Sequence, residues 1–210
     1  MLTPAAFRDA FAAGLAWPDY LATATSAQRP RWDAAWQHAV LTPAQAALAR
    51  SLPRRINVLV ISGTWCGDCV QQCPILARIA EAHPAPNAPP APAASPTGRS
   101  PGDAPGICLR FIDRDAHAAF SDHFMICGGR RVPTAIFLNE DFDFVHLLGD
   151  RTLARYRAVA AASLGPACPL PGAPVPADER AAVTDDWLRE FERVALLLRL
   201  SPKLRDRHGD

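Results

Sequence analysis

Apolar residues along this chain follow two patterns: stripes at helical spacing near both ends, and short, mostly apolar runs between them. Phe7, Phe11 and Leu15 recur at i, i+4 and i+8, as do Trp32, Trp36 and Val40, so 1–52 predicts amphipathic helices. Thr3-Pro4 and Thr42-Pro43 supply helix starts, an N-cap hydroxyl followed by a proline whose missing N–H costs nothing at the first helical position. Such stripes normally bury against a core; a partner-binding surface is the other use. Runs at 56–61, 107–112, 135–138 and 142–148 are too short for buried helices and predict strands. Asn139-Glu140-Asp141 makes the turn between the last two strands, which should pair antiparallel. Helices predicted at 66–82, 116–125 and 152–163 complete a β-α-β-α-β-β-α order, an α/β domain.

A last helix is predicted from Asp178 or Thr184 to Leu200, with Trp187, Leu188, Phe191, Val194, Ala195 and Leu198 on its apolar face. Leu196, Leu197 and Leu200 widen that face. This predicts a helix sandwiched between the core and the N-terminal helices, and a homodimer through the terminal helices would use the same feature. The tail 203–208 is mixed in charge and reads as a frayed end. Three parts follow: a helical extension at 1–52, an α/β domain at 53–165, and a linker with the C-terminal helix at 166–210. Residues 84–106 interrupt the domain with a Pro/Ala-rich insertion that has little to bury and should be extended or disordered. At 1.5 Å per residue, the helix from Cys66 places this insertion about 25 Å away from that cysteine, too far for a lid.

The candidate chemistry sits where the run 56–61 ends. Trp65-Cys66-Gly67-Asp68-Cys69 places two cysteines three apart between a strand and a helix, the form of a dithiol redox site. A helix starting near Cys66 brings its sulfur to unpaired N–H groups and the positive dipole end, which favours a thiolate near neutral pH. Cys69, one turn on, can resolve a mixed disulfide. A structural disulfide and half of a zinc site are the competing readings, although no second Cys or His pair follows. Cys66, Cys69 and Cys73 also share one helical face, so a three-thiolate metal or iron-sulfur site stays open.

Beyond the pentapeptide, the chain resembles the thioredoxin family. Thioredoxins read Trp-Cys-Gly-Pro-Cys and then Pro-Ile-Leu, and here Pro74-Ile75-Leu76 stands at the matching offset, where the proline would kink the helix. Val132-Pro133-Thr134, opening the run 135–138, resembles the cis-proline loop that thioredoxins set against the redox cysteines. The resemblance implies a thioredoxin-like fold, a mixed central sheet flanked by helices, with additional N- and C-terminal helices. It also implies a thiol-disulfide oxidoreductase working through a Cys66/Cys69 dithiol-disulfide cycle with no other cofactor. Cys66 would attack, Cys69 resolve and Asp68 tune or relay protons. Trp65, Gly67, Val132, Pro133 and Arg131 would meet the substrate, through backbone pairing at Val132.

Departures from the pattern carry expectations of their own. Asp68 replaces the usual proline, and in this it resembles the Clot-type thioredoxin-related proteins. Its charge should oppose Cys66 ionisation and give a reductant rather than an oxidant. Val60 stands where thioredoxins hold a buried acid, so that proton relay is absent or rerouted, with Asp68 a candidate. The loop 126–131 is about three residues longer than in thioredoxins. Its Arg130 and Arg131 would stabilise a thiolate, hold an anionic substrate, or simply be solvated. Cys73 is expected as a buried, inert thiol, with a third redox role as the alternative. Cys108 is expected in the core, Cys127 is a candidate modulator, and Cys168 has no readable partner.

Composition narrows the partners. A net charge of +1 leaves no footprint for nucleic acid or an anionic membrane, and 49% hydrophobic residues over 210 positions support one sizeable core. No basic, apolar leader opens the sequence and no apolar run spans a bilayer, so the expected location is cytoplasmic, where a Cys-x-x-Cys is more often catalytic than structural. The expected partners are a disulfide-containing protein or small molecule and a reductase or thiol donor. A non-enzymatic redox sensor or adaptor using the same dithiol is the rival class.

Overall fold

The N-terminal caps form as their sequence dictates. Thr3 accepts a hydrogen bond from the Ala6 N–H, and Thr42 and Gln45 form a reciprocal capping box. The computed structural model describes residues 2–85, 104–164 and 175–208, and shows α1 (Pro4–Ala13), α2 (Trp17–Ala22), α3 (Arg29–His38) and α4 (Pro43–Arg50) before the first strand. The two sequence stripes run shorter than their spacing suggests. Leu15 lies past the end of α1 and pairs its backbone with Phe111, while Val40 lies past α3 and is 71% exposed. Phe7, Phe11 and Trp32 are buried, and Trp36, at the margin of the core, has its ring centroid 5.2 Å from that of Trp17.

The sheet is built from β1 (Arg55–Ser62), β2 (Gly106–Asp113), β3 (Thr134–Leu138) and β4 (Phe144–Gly149) in the order β2-β1-β3-β4. β1 pairs parallel with β2 and antiparallel with β3, and β3 pairs antiparallel with β4, across the expected 139–141 turn. All eight residues of β1 are buried, so apolar side chains stand on both of its faces at 58–61 and the sequence shows no clean alternation. α5 (Gly67–Ala82) joins β1 to β2 and holds Pro74 within it. α6 (Ala118–Ser121) leads into a single 3-10 turn, Asp122–Phe124. α7 (Leu153–Ser163), α8 (Glu179–Leu200) and α9 (Pro202–His208) complete a thioredoxin-like fold with helices added at both ends. The inner part of the Pro/Ala-rich insertion, the first part of the 166–210 linker and Cys168 lie outside the described residues.

Successive strand residues point to opposite faces, so Val58, Val60 and Ser62 share one face with Phe111 and Phe137. On that face α2 brings Trp17 and Tyr20 to Phe111, with ring centroids 5.4 and 4.9 Å away, and α8 brings Phe191 to within 5.2 Å of Phe137. α5 packs there too, with α3 and α4 stacked outside it. Leu59 and Arg110 point to the other face, toward the end of α1. There Gly14 comes so close that a Cβ would meet Arg110 Cβ at 2.8 Å. The Leu15–Phe111 bridge carries the chain around the edge of β2 from one face to the other.

α8 lies against α4, α5 and α7, and its six expected core residues are all buried. Leu196, Leu197 and Leu200 are not: they are 55, 44 and 74% exposed, because the contacts of α8 cover one side of the helix only. The tail also differs from the frayed end expected. Leu204 is buried, and Arg207 and His208 both reach the Asp141 carboxylate in the β3–β4 turn, which gives the mixed-charge segment a partner. β4 begins two residues later than its apolar run because Phe142 sits in the turn at φ 66°, with its ring 5.3 Å from that of Phe11.

Polar groups fill the end of the sheet remote from Cys66. Arg54 donates to Glu140 at 2.6 Å with both side chains nearly inaccessible, and Asn57 Nδ2 donates to Asn139 O at 2.8 Å. A buried pair of this kind is worth little net, but half of it is expensive, because the survivor is left charged in low dielectric. Glu140→Ala is therefore expected to lower the unfolding free energy by about 3–5 kcal/mol, measured by urea titration with an unchanged m-value.

Candidate functional site

β1 ends at Ser62, and the chain turns through Gly63, Thr64 and Trp65 into Cys66, the extended residue that caps α5. Gly63 gives the Trp65 ring its place: a Cβ there would stand 2.7 Å from that ring and make it shift. Thr64 O accepts hydrogen bonds from Trp32 Nε1 and Arg31 Nη2, both at 2.9 Å, so α3 pins the loop that carries the cysteines. Trp65 is 43% exposed, with the Arg114 guanidinium 4.4 Å over its ring. Cys66 is half-buried, Cys69 is fully buried behind it, and both are free thiols. Gly67, in the first turn of α5, leaves open space where a side chain would stand.

The second motif reaches the first through the sheet. Ile61 pairs with Thr134, which sets Pro133 beside the end of β1, and the Val132–Pro133 peptide is cis. The Cys66 thiol donates to Val132 O at 3.5 Å, joining residues 66 apart in sequence. The longer loop before it closes as a two-residue turn between Ile126 and Gly129, with Cys127 at φ 50° and Gly128 at φ 70°, and Cys127 exposed. Arg130 is tied to Asp122 and Arg131 to Asp150, the latter at 3.3 Å. Both arginines thus brace the loop, and neither is a leading influence on the Cys66 sulfur.

Electrostatics at the site differ from the sequence expectation. The Cys66 thiol is pushed up, not down. Its hydrogen bond to Cys69, burial and repulsion from Cys69 outweigh the N–H groups of Cys69 and Asp68 at the helix start. Burial likewise pushes Cys69 well up. Asp68 does not act as a bare anion beside them. Arg151 reaches its carboxylate at 2.6 Å and Arg155 at 2.9 Å, and these two cations overcome the effect of burial to hold it below the usual carboxylate range. Arg155 continues to Glu179 at 2.8 Å, so one guanidinium joins acids in the first turns of α5 and α8.

Val60, in place of a buried acid, is itself fully buried. The polar groups behind Cys69 are instead Ser62, 3.4 Å from the Cys73 sulfur, and Tyr20, whose OH donates to Ser62 Oγ at 2.7 Å. Cys73 and Cys108 are buried as expected. Among the described residues no group of three or more His, Cys, Asp or Glu side chains is arranged to hold a metal ion, so the metal reading rests on spacing alone. Trp32, Arg31, Arg114, Arg151, Arg155, Ser62 and Tyr20 escaped the sequence reading. All reach the site from other elements, and only Ser62, at the end of the strand run, lay near enough in sequence to suggest itself.

A protein-family model described as thioredoxin matches residues 14–88, a span that holds both cysteines and begins inside the segment read above as an extension. No curated protein sequence matches the chain. Among solved structures, a protein of unknown function from Pseudomonas aeruginosa is 15% identical, with a TM-score of 0.59 over 90% of this chain and 95% of that one. An HIV epitope-scaffold is 14% identical, with a TM-score of 0.57 over 92% and 97%. These likenesses support the fold. Among the described residues no helix is long and apolar enough to cross a membrane.

The arginine clamp on Asp68 has a pH signature. Because its folded pKa is depressed, Asp68 adds stability above the pKa of an unfolded aspartate and loses it as pH falls through the folded value. Asp68→Asn, which weakens two charge-assisted hydrogen bonds, is expected to cost about 2 kcal/mol at pH 7, and the gap to the wild type should narrow as pH falls through the acid range in which Asp68 protonates, measured by urea unfolding across pH.

Proposed function

We propose that this chain is a thiol-disulfide oxidoreductase that reduces disulfides through a Cys66/Cys69 cycle. The observation that carries the reading is the meeting of the Cys66 sulfur with Val132 O at the cis-Pro133 loop, with Cys69 directly behind. An extended substrate strand laid along Val132 by backbone pairing would bring its disulfide to the half-exposed Cys66. Cys66 attacks as a thiolate and forms a mixed disulfide while the first substrate sulfur leaves. Cys69 then attacks Cys66, the Cys66–Cys69 bond forms, and the second substrate sulfur departs. Two electrons have passed from the dithiol to the substrate.

The site divides the remaining work. Trp65, exposed and capped by Arg114, offers an apolar platform beside Cys66. Gly67 leaves the approach open, and Arg131 borders it from the loop. Asp68, held ionised by two arginines, tunes the site as a fixed charge instead of passing protons. With both thiols pushed up, the dithiol form is favoured over thiolates until substrate arrives. The electron donor is a reductase or small thiol, the substrate a disulfide in a protein or small molecule, and the reading fits a reducing compartment such as the cytoplasm. No cofactor beyond the cysteine pair is needed.

Equilibration in glutathione or dithiothreitol buffers tests the direction of flow. A Cys66/Cys69 potential near about −270 mV supports a reductase, and one near about −120 mV overturns it. Cys66→Ser should abolish reduction of a disulfide substrate and Cys69→Ser should accumulate a mixed disulfide visible by mass. Activity in Cys66→Ser equal to wild type would sink the reading.

A further inference from the structure

Asp150 is an acid that the cycle above does not use. It follows β4 directly, and the pairing of Gly149 with Thr134 carries it to the loop that ends at Pro133. Its side chain is only 6% exposed. A carboxylate so nearly out of water is costly unless its oxygens find partners, and here both do. Oδ2 faces Arg131 Nη1 at 3.3 Å and Arg151 Nη1 at 3.7 Å, while Oδ1 accepts from the Tyr156 hydroxyl. The backbone is held as well, since Asp150 O accepts from Gln72 Nε2 of α5 at 3.0 Å.

The two arginines lead to opposite walls of the approach to Cys66. Arg151 reaches on to Asp68 at 2.6 Å, beside Cys69 in the first turn of α5. Arg131 immediately precedes Val132 and is tied at three points. Its N–H donates to Gly129 O at 2.9 Å, its carbonyl accepts from Thr134 Oγ1 at 2.9 Å, and its guanidinium goes to Asp150. The Thr134 hydroxyl fits because Gly149 has no side chain: a Cβ there would stand 2.7 Å from Thr134 Oγ1. Arg131 is 43% exposed, so its ion pair adds little to the stability of the whole fold. What the pair fixes is the course of the chain into Val132, whose carbonyl meets the Cys66 sulfur at 3.5 Å.

We propose that Asp150 is a positioning residue for substrate binding: through Arg131 it holds the Val132 backbone, and through Arg151 it holds the Asp68 side of the cleft, at the spacing an extended polypeptide needs to reach Cys66. This rests on the oxidoreductase reading above and deepens it by naming the substrate class. A polypeptide laid along Val132 uses the spacing, and its binding gains from a loop that is already in place. A small disulfide that meets Cys66 without lying along the loop gains nothing from Asp150. Arg131 acts here through the loop it braces, with its guanidinium turned to Asp150 and not to the substrate.

The test uses the full chain with Cys127→Ser and Cys168→Ser, reduced and in excess over the disulfide in single turnover. One probe is the disulfide dimer of an unstructured peptide with a single central cysteine, followed by chromatography. The other is 2,2′-dithiodipyridine, uncharged and too small to lie along the loop, followed by absorbance of the released thione. Asp150→Asn keeps the shape and an acceptor for Tyr156 while removing the charge. It is expected to raise the half-saturating enzyme concentration for the peptide about tenfold, with the limiting rate and the dithiodipyridine rate each within about twofold of wild type. Tyr156→Phe should act in the same direction by about threefold. Arg131→Ala should raise the same constant, and its combination with Asp150→Asn should do no more than the larger single change, because the two act through one contact. A merely structural loss would slow both probes together. If Asp150→Asn does not fold, Tyr156→Phe and Arg131→Ala give the reading. The proposal is overturned, with the oxidoreductase left standing, by unchanged half-saturation for the peptide in Asp150→Asn and Tyr156→Phe, by equal slowing of both probes, by additive effects of Asp150→Asn and Arg131→Ala, or by a wild type that reduces dithiodipyridine alone. A wild type that reduces neither probe would overturn both.

Discussion

The register between β1 and β3 is the constraint on which the site depends. Ile61 opposite Thr134 brings Pro133 beside the end of β1, and from this follows the contact between Cys66 and Val132 O. A slip of one residue would turn every β1 side chain to the wrong face and take Ser62 away from α5. Burial of the whole strand resists such a slip, and so does the far end of the sheet. There the Arg54–Glu140 pair and the Asn57–Asn139 bond tie the start of β1 to the turn after β3. Two polar contacts remote from the sulfurs thus help to hold the alignment of the residues that meet there.

The terminal helices approach this alignment from outside and hold the cysteine loop in place. α3 grips Thr64 O through Trp32 and Arg31, while the segment around α7 grips Asp68 through Arg151 and Arg155, and α8 joins by Glu179. Gln72, buried in α5, adds a bond to Asp150 O at 3.0 Å. The loop is therefore braced on both sides of Cys66, and the open approach that remains is along Val132 and Trp65. Bracing of this kind would limit the reorganisation that the proposed substrate strand demands on docking.

The strands, the main helices and the two motifs were legible because each is a local pattern: a buried run, a capped stripe, a Cys-x-x-Cys after a strand, an X-Pro before one. The ends of the stripes were less legible, since Leu15 and Val40 continue a spacing that the backbone abandons for a sheet bridge and a turn. The charge state of the site was not legible at all. Asp68 reads as a lone anion beside Cys66 until Arg151 and Arg155, more than eighty residues away, are brought to it by folding. The same holds for Tyr20, an ordinary aromatic on a short helix until its hydroxyl reaches Ser62, 42 residues on.

The reach of Tyr20 bears on where the smallest portable unit of the proposed redox site begins. A piece started at Pro53 would keep both cysteines, the cis-proline loop and the whole sheet, and would match the outline of a minimal thioredoxin-like domain. It would also strip Trp17, Tyr20 and Trp32 from the ring of Phe111 and from the loop at Thr64, and leave Ser62 without its donor. The seam visible in the sequence near residue 52 is not a seam in the chemistry. Anyone grafting or trimming this site has to carry the chain from upstream of Trp17.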